Sequence, residues 1–440
     1  MIIVMVSTES VDWTFREIST SQNTHGLHQY PARMHPEIAT RMIAKYATGT
    51  KTVVLDPFMG SGGVLVEAML HGNNSIGIDL NPFAVLLSKV KTTPLDPKKL
   101  EKIFQELITL SNTDFKNGVT YDNAPDKLKD KMDFWYPTDP IQKLPILKNH
   151  VNQIKNKNIK DFFSICFSFT TRRTSYQKNS IYKIYRIKPE KRDAFHPDTF
   201  KKFSEICKKN IKSMGEFYSK TKNKNSQAFT ILGDSRNIGE QFSKVPDEIL
   251  ANGKANLVVT SPPYGDHGTT VAYGQFSKHP GLWLDLEDKD ELLSVDARGL
   301  GGKRIKDSSE LESPLLDKVL KKIKKKDLVT TNKSNMYDRA GDVYAFFYDL
   351  DLCLQQLSLN LQKGKSHLCF VVANRLVRRE KIQLDEILIE IAKKWGIKKD
   401  GDIIYRTIAN KAMATKNAPE NTINFSSNTM NEESIVLLKY

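Results

Sequence analysis

Thr52-Val53-Val54-Leu55-Asp56-Pro57-Phe58-Met59-Gly60-Ser61-Gly62-Gly63 reads as a buried apolar strand running straight into a glycine-rich turn. Val64 to His71 follows as a helix with Leu65, Ala68 and Met69 on one side. The order strand, glycine turn, helix aims backbone N–H groups and the positive end of a helix at a nucleotide-like or carboxylate-bearing ligand. A second strand, Ser75-Ile76-Gly77-Ile78, ends at Asp79, 17 residues past Gly62. An acidic residue at that strand tip is placed to accept hydrogen bonds from both hydroxyls of a ribose. The dinucleotide fingerprint G-x-G-x-x-G is not matched, because Gly60 and Gly62 are followed by Leu65. The turn suits another adenosine cofactor better.

Outward from this unit the pattern stays α/β for a while. His28 to Pro36 is loop-like, Glu37 to Tyr46 has helical spacing, and residues 1–24 read as a loosely held polar arm. Asn81-Pro82 opens a helix through Val90, and Lys98 to Leu110 forms one more. After Ser111 the rhythm stops. Strands return at Ala228 to Leu232, which ends in Gly233-Asp234-Ser235, and at Leu257 to Thr260. A second excursion, Gly265 to Gly341, precedes an amphipathic helix (342–362), a strand (367–372), a helix (384–395) and two closing strands (402–407 and 434–438). The expected architecture is α/β, a mostly parallel sheet with helices on both faces, carrying two insertions. Its parts are the arm (1–24), a cofactor half (25–111), a mainly helical insertion (112–226), strands with the site motif (227–265), a second insertion (266–342) and a C-terminal half (343–440).

The charge is concentrated in the first insertion. Ile141 to Ser226 holds 21 Lys and Arg against 6 Asp and Glu, an excess equal to the +15 of the whole chain. A basic balance confined to one segment is what a polyanion-binding surface needs, since each neutralised phosphate releases counterions. Arg172, Arg173, Lys178, Lys183 and Arg186 alternate there with Tyr176, Tyr182 and Tyr185, as on surfaces that track a nucleic-acid backbone. Cys166, Cys207, Cys353 and Cys369 show neither zinc-ligand nor disulfide spacing, so no metal is expected. Neither a signal segment nor a membrane-spanning run is visible, and the cytoplasm is the default location.

The strand at Leu257 to Thr260 meets Ser261-Pro262-Pro263-Tyr264. Two consecutive prolines cannot continue a sheet, and their fixed φ angles leave the carbonyls of Ser261 and Pro262 rigidly aimed beside an aromatic ring. Alone, this is a strand-ending turn. In an open α/β sheet, however, ligands sit beyond the carboxyl ends of the strands. Asp56, Asp79, Asp234 and Ser261 would then share one pocket. Cofactor amine and carboxylate would lie near Asp56 and the glycines, ribose at Asp79, adenine at Asp234 and the reacting group at Tyr264. That is the layout of an S-adenosyl-L-methionine-dependent methyltransferase.

D-P-F-x-G-S-G at Asp56 to Gly62, an acidic tip at Asp79 and T-S-P-P-Y at Thr260 to Tyr264 together resemble the amino-methyltransferases of DNA, which methylate cytosine-N4 or adenine-N6. The S-P-P-Y form is more similar to the cytosine-N4 members. His28 to Pro36 resembles the segment that helps hold the methionine part of the cofactor, which adds Tyr30 and Pro31 to the cofactor residues Asp56, Pro57, Phe58, Gly60, Ser61, Gly62, Asp79 and Asp234. The similarity covers about residues 25–110, 227–265 and 343–440. Gly63 departs from it, standing where threonine is usual. The resemblance implies double-stranded DNA as substrate, with a cognate restriction endonuclease acting separately.

The residue types carry the chemistry further. An exocyclic base amine is a poor nucleophile because its lone pair is delocalised into the ring. Acceptors at Ser261 and Pro262, with Pro263 locking the turn, can bind its hydrogens and stabilise the charge that develops as it attacks a methyl group in line. Tyr264 would stack on the base, extruded from the duplex. No cysteine follows a proline, so the thiolate route to carbon-5 lacks its nucleophile. An RNA base-amine methyltransferase, a protein-glutamine methyltransferase and a nucleic-acid-binding module with a decayed site remain the competing readings.

Overall fold

Five parallel strands make the centre of the sheet: β1 (Val53–Asp56), β2 (Asn74–Asp79), β3 (Ala228–Leu232), β4 (Leu257–Thr260) and β5 (His367–Val372). The computed structural model describes residues 12–47, 52–250, 253–265, 271–286, 289–305, 311–330, 338–408 and 432–440. Beyond β5 come a small hairpin, β6 (Arg375–Val377) and β7 (Glu380–Ile382), then β8 (Lys398–Lys399), β9 (Ile404–Thr407) and β10 (Glu432–Lys439). The sheet order is β3-β2-β1-β4-β5-β10, with β8 and β9 both paired to the outer edge of β10. β10 runs antiparallel to β5 and β9 antiparallel to β10. This is the Rossmann-like methyltransferase fold, doubly wound, with its switch point between β1 and β4.

Alternation along the strands sorts the core into two faces. Leu55, Ile76, Val258, Phe370 and Val436 point to the side covered by helices Arg339–Asn360 and Leu384–Lys394. Val54, Leu257, Val259, Val371 and Ile435 point to the side covered by helices Pro36–Tyr46 and Gly63–Leu70. Parallel strands buried on both faces read as continuous apolar runs, which is why VVL and LVV were legible as strands. Helices Pro36–Tyr46, Pro82–Thr92 and Pro97–Lys116 each start with proline behind a capping His35, Asn81 or Asp96, a device worth roughly 1 kcal/mol per cap.

The first insertion builds its own core from helices Thr138–Asn152, Lys157–Arg173 and Thr199–Thr221, burying Leu147, Phe162, Phe163, Phe203 and Phe217. The same cluster contains Phe83 and Leu87 of helix Pro82–Thr92, so the insertion is packed on the edge of the sheet domain. The second excursion is divided between two cores. Helix Tyr273–Trp283 joins the insertion, Trp283 Nε1 donating to Tyr136 at 2.8 Å, while helix Pro314–Thr330 packs Leu316, Val319 and Ile323 against the sheet side. Of the arm, residues 1–11 lie outside the described residues. Its remainder is docked rather than loose: Phe15 is buried, stacked on His35 at 4.7 Å, and Thr24 donates to the Lys91 carbonyl at 2.8 Å. Among the described residues no helix is long and apolar enough to cross a membrane.

Candidate active site

The glycine turn and the acidic tip of β2 are constructed as one piece. Gly62 sits at φ +74°, where a Cβ would lie 2.8 Å from the Cβ and Oγ of Ser88. Gly60, at φ +47°, faces the Tyr30 ring. Ser88 Oγ donates to the Gly60 carbonyl at 2.9 Å, and the Gly60 N–H donates to Asp79 Oδ2 at 2.9 Å. Asp79 Oδ1 accepts the Asn81 N–H at 2.8 Å. Each Asp79 oxygen thus retains acceptor capacity for a ligand hydroxyl. Burial raises the Asp79 carboxyl to about 6 against the pull of those two N–H groups.

Asp56 ends β1 at the switch point. Its Oδ1 accepts from Thr260 Oγ1 at 2.7 Å and from the Phe58 N–H at 3.1 Å, which ties the tip of β1 to that of β4. Burial nevertheless pushes its carboxyl up to about 7. Asp234 differs. Arg236, two residues on, grips both of its oxygens, with Nε at 3.0 and 3.1 Å and Nη2 at 2.6 Å, and its own N–H adds a bond at 2.9 Å. Three donors of Arg236 make four contacts with the two oxygens of Asp234, so the expected acceptor for an adenine amine is already engaged. Arg236 also pairs with Asp349 at 3.0 Å and was missed in the sequence, although its spacing from Asp234 was visible.

These tips open on a single cavity of about 680 Å³, within the usual range for a small-molecule site. Tyr30, Pro31, Asp56, Pro57, Phe58, Gly60, Ser61, Asp79 and Asp234 line it, and so do Ser261 and Pro263. Gly62, Pro262 and Tyr264 are not among its lining residues. Tyr264 is half-buried against the sheet core; its hydroxyl donates to Glu433 Oε1 at 3.0 Å and lies 3.1 Å from Ser261 Oγ. Burial and the Glu433 carboxylate hold the phenol well above its ordinary range, so it stays a donor. In this arrangement the Tyr264 hydroxyl joins Ser261 to Glu433 and so braces Ser261 from outside the cavity lining. Behind it, Glu433 Oε2 pairs with Arg406 Nη1 at 2.7 Å, and Arg406 Nε donates to the Trp13 carbonyl at 3.0 Å. Glu433 and Arg406 face each other across β9 and β10 and also line the cavity.

The DNA methylase family of N6/N4 type matches residues 7–90. Over 440 aligned positions, 97% of this chain and 93% of the relative, the sequence is 35% identical to the type II methyltransferase M.MvaI of Kocuria varians. The chain belongs to the type II DNA methyltransferases of the N6/N4 amino-methyltransferase family. It is also 24% identical to the type II methyltransferase M.MjaII of Methanocaldococcus jannaschii, over 74% of this chain and 76% of that one. Among solved structures, an rRNA methyltransferase from Streptomyces viridochromogenes aligns at 10% identity and a TM-score of 0.27, covering 78% of this chain and 77% of the other. Methyltransferases of this family use S-adenosyl-L-methionine as methyl donor, and the cavity fits such a group: a turn that only glycine can make, a β2 carboxylate with free acceptor capacity, and a second buried carboxylate at the switch point.

For this methyltransferase the basic cluster needs one correction. Arg172 is buried, 2% exposed, and its guanidinium is spent inside the protein. Nη1 donates to Gln177 Oε1 at 3.0 Å, Nη2 donates to the Ile181 carbonyl at 2.8 Å, and the group lies over the Phe276 ring at 4.8 Å. It is not a surface cation, because helix Lys157–Arg173 turns that position inward. Arg173, Lys178 and Lys183 are exposed; Arg186 is half-buried, its guanidinium 3.7 Å from the centre of the Phe134 ring.

Proposed function

We propose that this methyltransferase modifies the exocyclic amine of a base extruded from double-stranded DNA, cytosine-N4 ahead of adenine-N6, as the modification enzyme of a restriction-modification system. The observation that carries the reading is that Ser261 and Pro263, at the end of β4, line the same cavity as Asp56 and Asp79, with the preceding Thr260 donating to Asp56. S-adenosyl-L-methionine, when bound, supplies an electrophilic methyl group. Asp79 would hold the ribose hydroxyls, and Asp56 the amino group near the glycine turn. The carbonyls of Ser261 and Pro262 would take the two hydrogens of the target amine, turning its lone pair out of the ring and stabilising positive charge as it forms. The preference for cytosine rests on serine at position 261, as in the S-P-P-Y form. A cognate endonuclease and a cytoplasmic location complete the proposal.

The test is incorporation of label from S-adenosyl-L-methionine into duplex DNA and tRNA offered separately, followed by methylome sequencing of cells expressing the chain. N4-methylcytosine at a fixed site is the expected product. N6-methyladenine would overturn the base assignment, and label in tRNA alone would overturn DNA as the substrate.

The Asp56 role also has a pH signature. An ammonium pairs with the ionised carboxylate, whereas burial holds the free-state carboxyl at about 7. Cofactor binding below that value must therefore expel a proton, so affinity should rise with pH up to about 7 and then level. On the acid side, log Kd should fall by up to about one per pH unit. Titration of S-adenosylhomocysteine by calorimetry across this range checks it; a flat profile would remove Asp56 from the ammonium.

A further inference from the structure

Residues 176–187 form a braced loop whose tip reaches the mouth of the active-site cavity. Gln177 and Arg186 pair as an antiparallel bridge, with the Lys178 N–H on the Tyr185 carbonyl at 2.7 Å and the Ile187 N–H on the Tyr176 carbonyl at 2.8 Å. Arg172 supports the loop from beneath through Gln177 and the Ile181 carbonyl. Burying a guanidinium is costly unless its donors are used, and here both terminal nitrogens, though not Nε, are used to hold this loop. The residue after Ile181 is Tyr182. Its ring meets the edge of Phe276 at 5.8 Å, lines the same cavity as Ser261, and remains 43% exposed. Among the described residues, the other aromatics of the cavity wall, Phe15, Tyr30, Phe58 and Tyr273, are buried or half-buried. Lys178 and Lys183 flank the tip and are exposed.

An open aromatic face at the cavity mouth, set between cations on a rigid loop, matches the chemistry of an unstacked nucleotide: a π-face with a phosphate on either side. Tyr264, its hydroxyl tied to Glu433, is not among the lining residues of the cavity. We propose that residues 176–187 are a DNA-inserting loop in which Tyr182 stacks on the extruded nucleotide at the cavity mouth while Lys178 and Lys183 hold the adjoining phosphates. Arg172 is then a positioning residue for Tyr182. This inference rests on the base-extrusion reading above and assigns it a residue that the sequence motifs do not include.

The test uses a duplex containing the site found by methylome sequencing, with 2-aminopurine at the target position to report extrusion and the natural base to report transfer. Tyr182→Ala should lower kcat/KM about 5- to 150-fold, the ~1–3 kcal/mol of one base–aromatic stack, and diminish the fluorescence rise on binding. Tyr182→Phe should stay within about threefold of the native enzyme, and S-adenosylhomocysteine affinity within about twofold in both, as expected of an exposed stacking ring. Replacing Lys178 and Lys183 together by alanine should reduce the slope of log K against log salt by close to two. Tyr182→Ala with unchanged kcat/KM and full extrusion overturns the loop alone. Lost cofactor affinity with extrusion intact also overturns it, making Tyr182 a cover for the cofactor. Methyl transfer by the native enzyme without any 2-aminopurine signal overturns base extrusion itself, and the loop with it.

Discussion

Gly62→Ala is expected to weaken cofactor binding by at least about 100-fold and to lower Tm. A residue with a side chain at φ +74° costs roughly 1–2 kcal/mol in the left-handed region. The clash adds to this, because the new Cβ would stand 2.8 Å from Ser88 Cβ and Oγ and 3.0 Å from Ser88 Cα. Ser88 belongs to helix Pro82–Thr92 and is fully buried, so it cannot withdraw without moving the helix. Its Oγ is also the donor that fixes the Gly60 carbonyl, and the Gly60 N–H is what fixes Asp79. Damage at one glycine thus reaches Asp79, the proposed ribose ligand, through two hydrogen bonds. Gly63→Ala is the control, since its Cβ would meet only the His25 ring at 4.0 Å and should leave affinity within a few-fold. Calorimetric titration of S-adenosylhomocysteine reads both, and a Gly62→Ala enzyme within fivefold of native would show that the turn yields.

The contrast between Gly62 and Arg172 shows what the sequence could carry. Strand, glycine turn and helix are local, and each is written in adjacent residues: apolar runs for buried strands, glycine where φ is positive, proline where a ladder must stop. The order of acidic tips along the chain, with the rule that ligands collect beyond strand ends, was enough to assemble the cavity. Long-range arrangement was not written locally. The antiparallel direction of β10 depends on how it meets β5, and the hairpin β6–β7 is too short to leave a pattern. Arg172 looked like its exposed neighbour Arg173 because charge says nothing about helical phase when the surrounding helix is aromatic on several sides. Arg406 and Glu433 are apart in sequence and become partners only through the register of β9 with β10.

That register supports the other large expectation. Glu433→Ala should nearly abolish turnover and lower stability by roughly 3–5 kcal/mol, the usual cost of stranding one half of a buried ion pair. Arg406 is only 5% exposed, and without Glu433 its Nη1 loses its carboxylate. The same substitution frees the Tyr264 hydroxyl and with it the strut beneath Ser261. Tyr264→Phe separates these effects, since it cuts the link to Ser261 and leaves Arg406 paired. If the strut positions the amine-binding turn, Tyr264→Phe should retain nearly native Tm and cofactor affinity while kcat falls about tenfold, in keeping with one lost hydrogen bond of ~1.5 kcal/mol. If instead Tyr264→Phe turns over normally and only Tyr264→Ala fails, the ring itself is what the reaction needs. Tyr264 must then leave Glu433 and swing to the base, and the stacking role read from the S-P-P-Y motif returns to it from Tyr182.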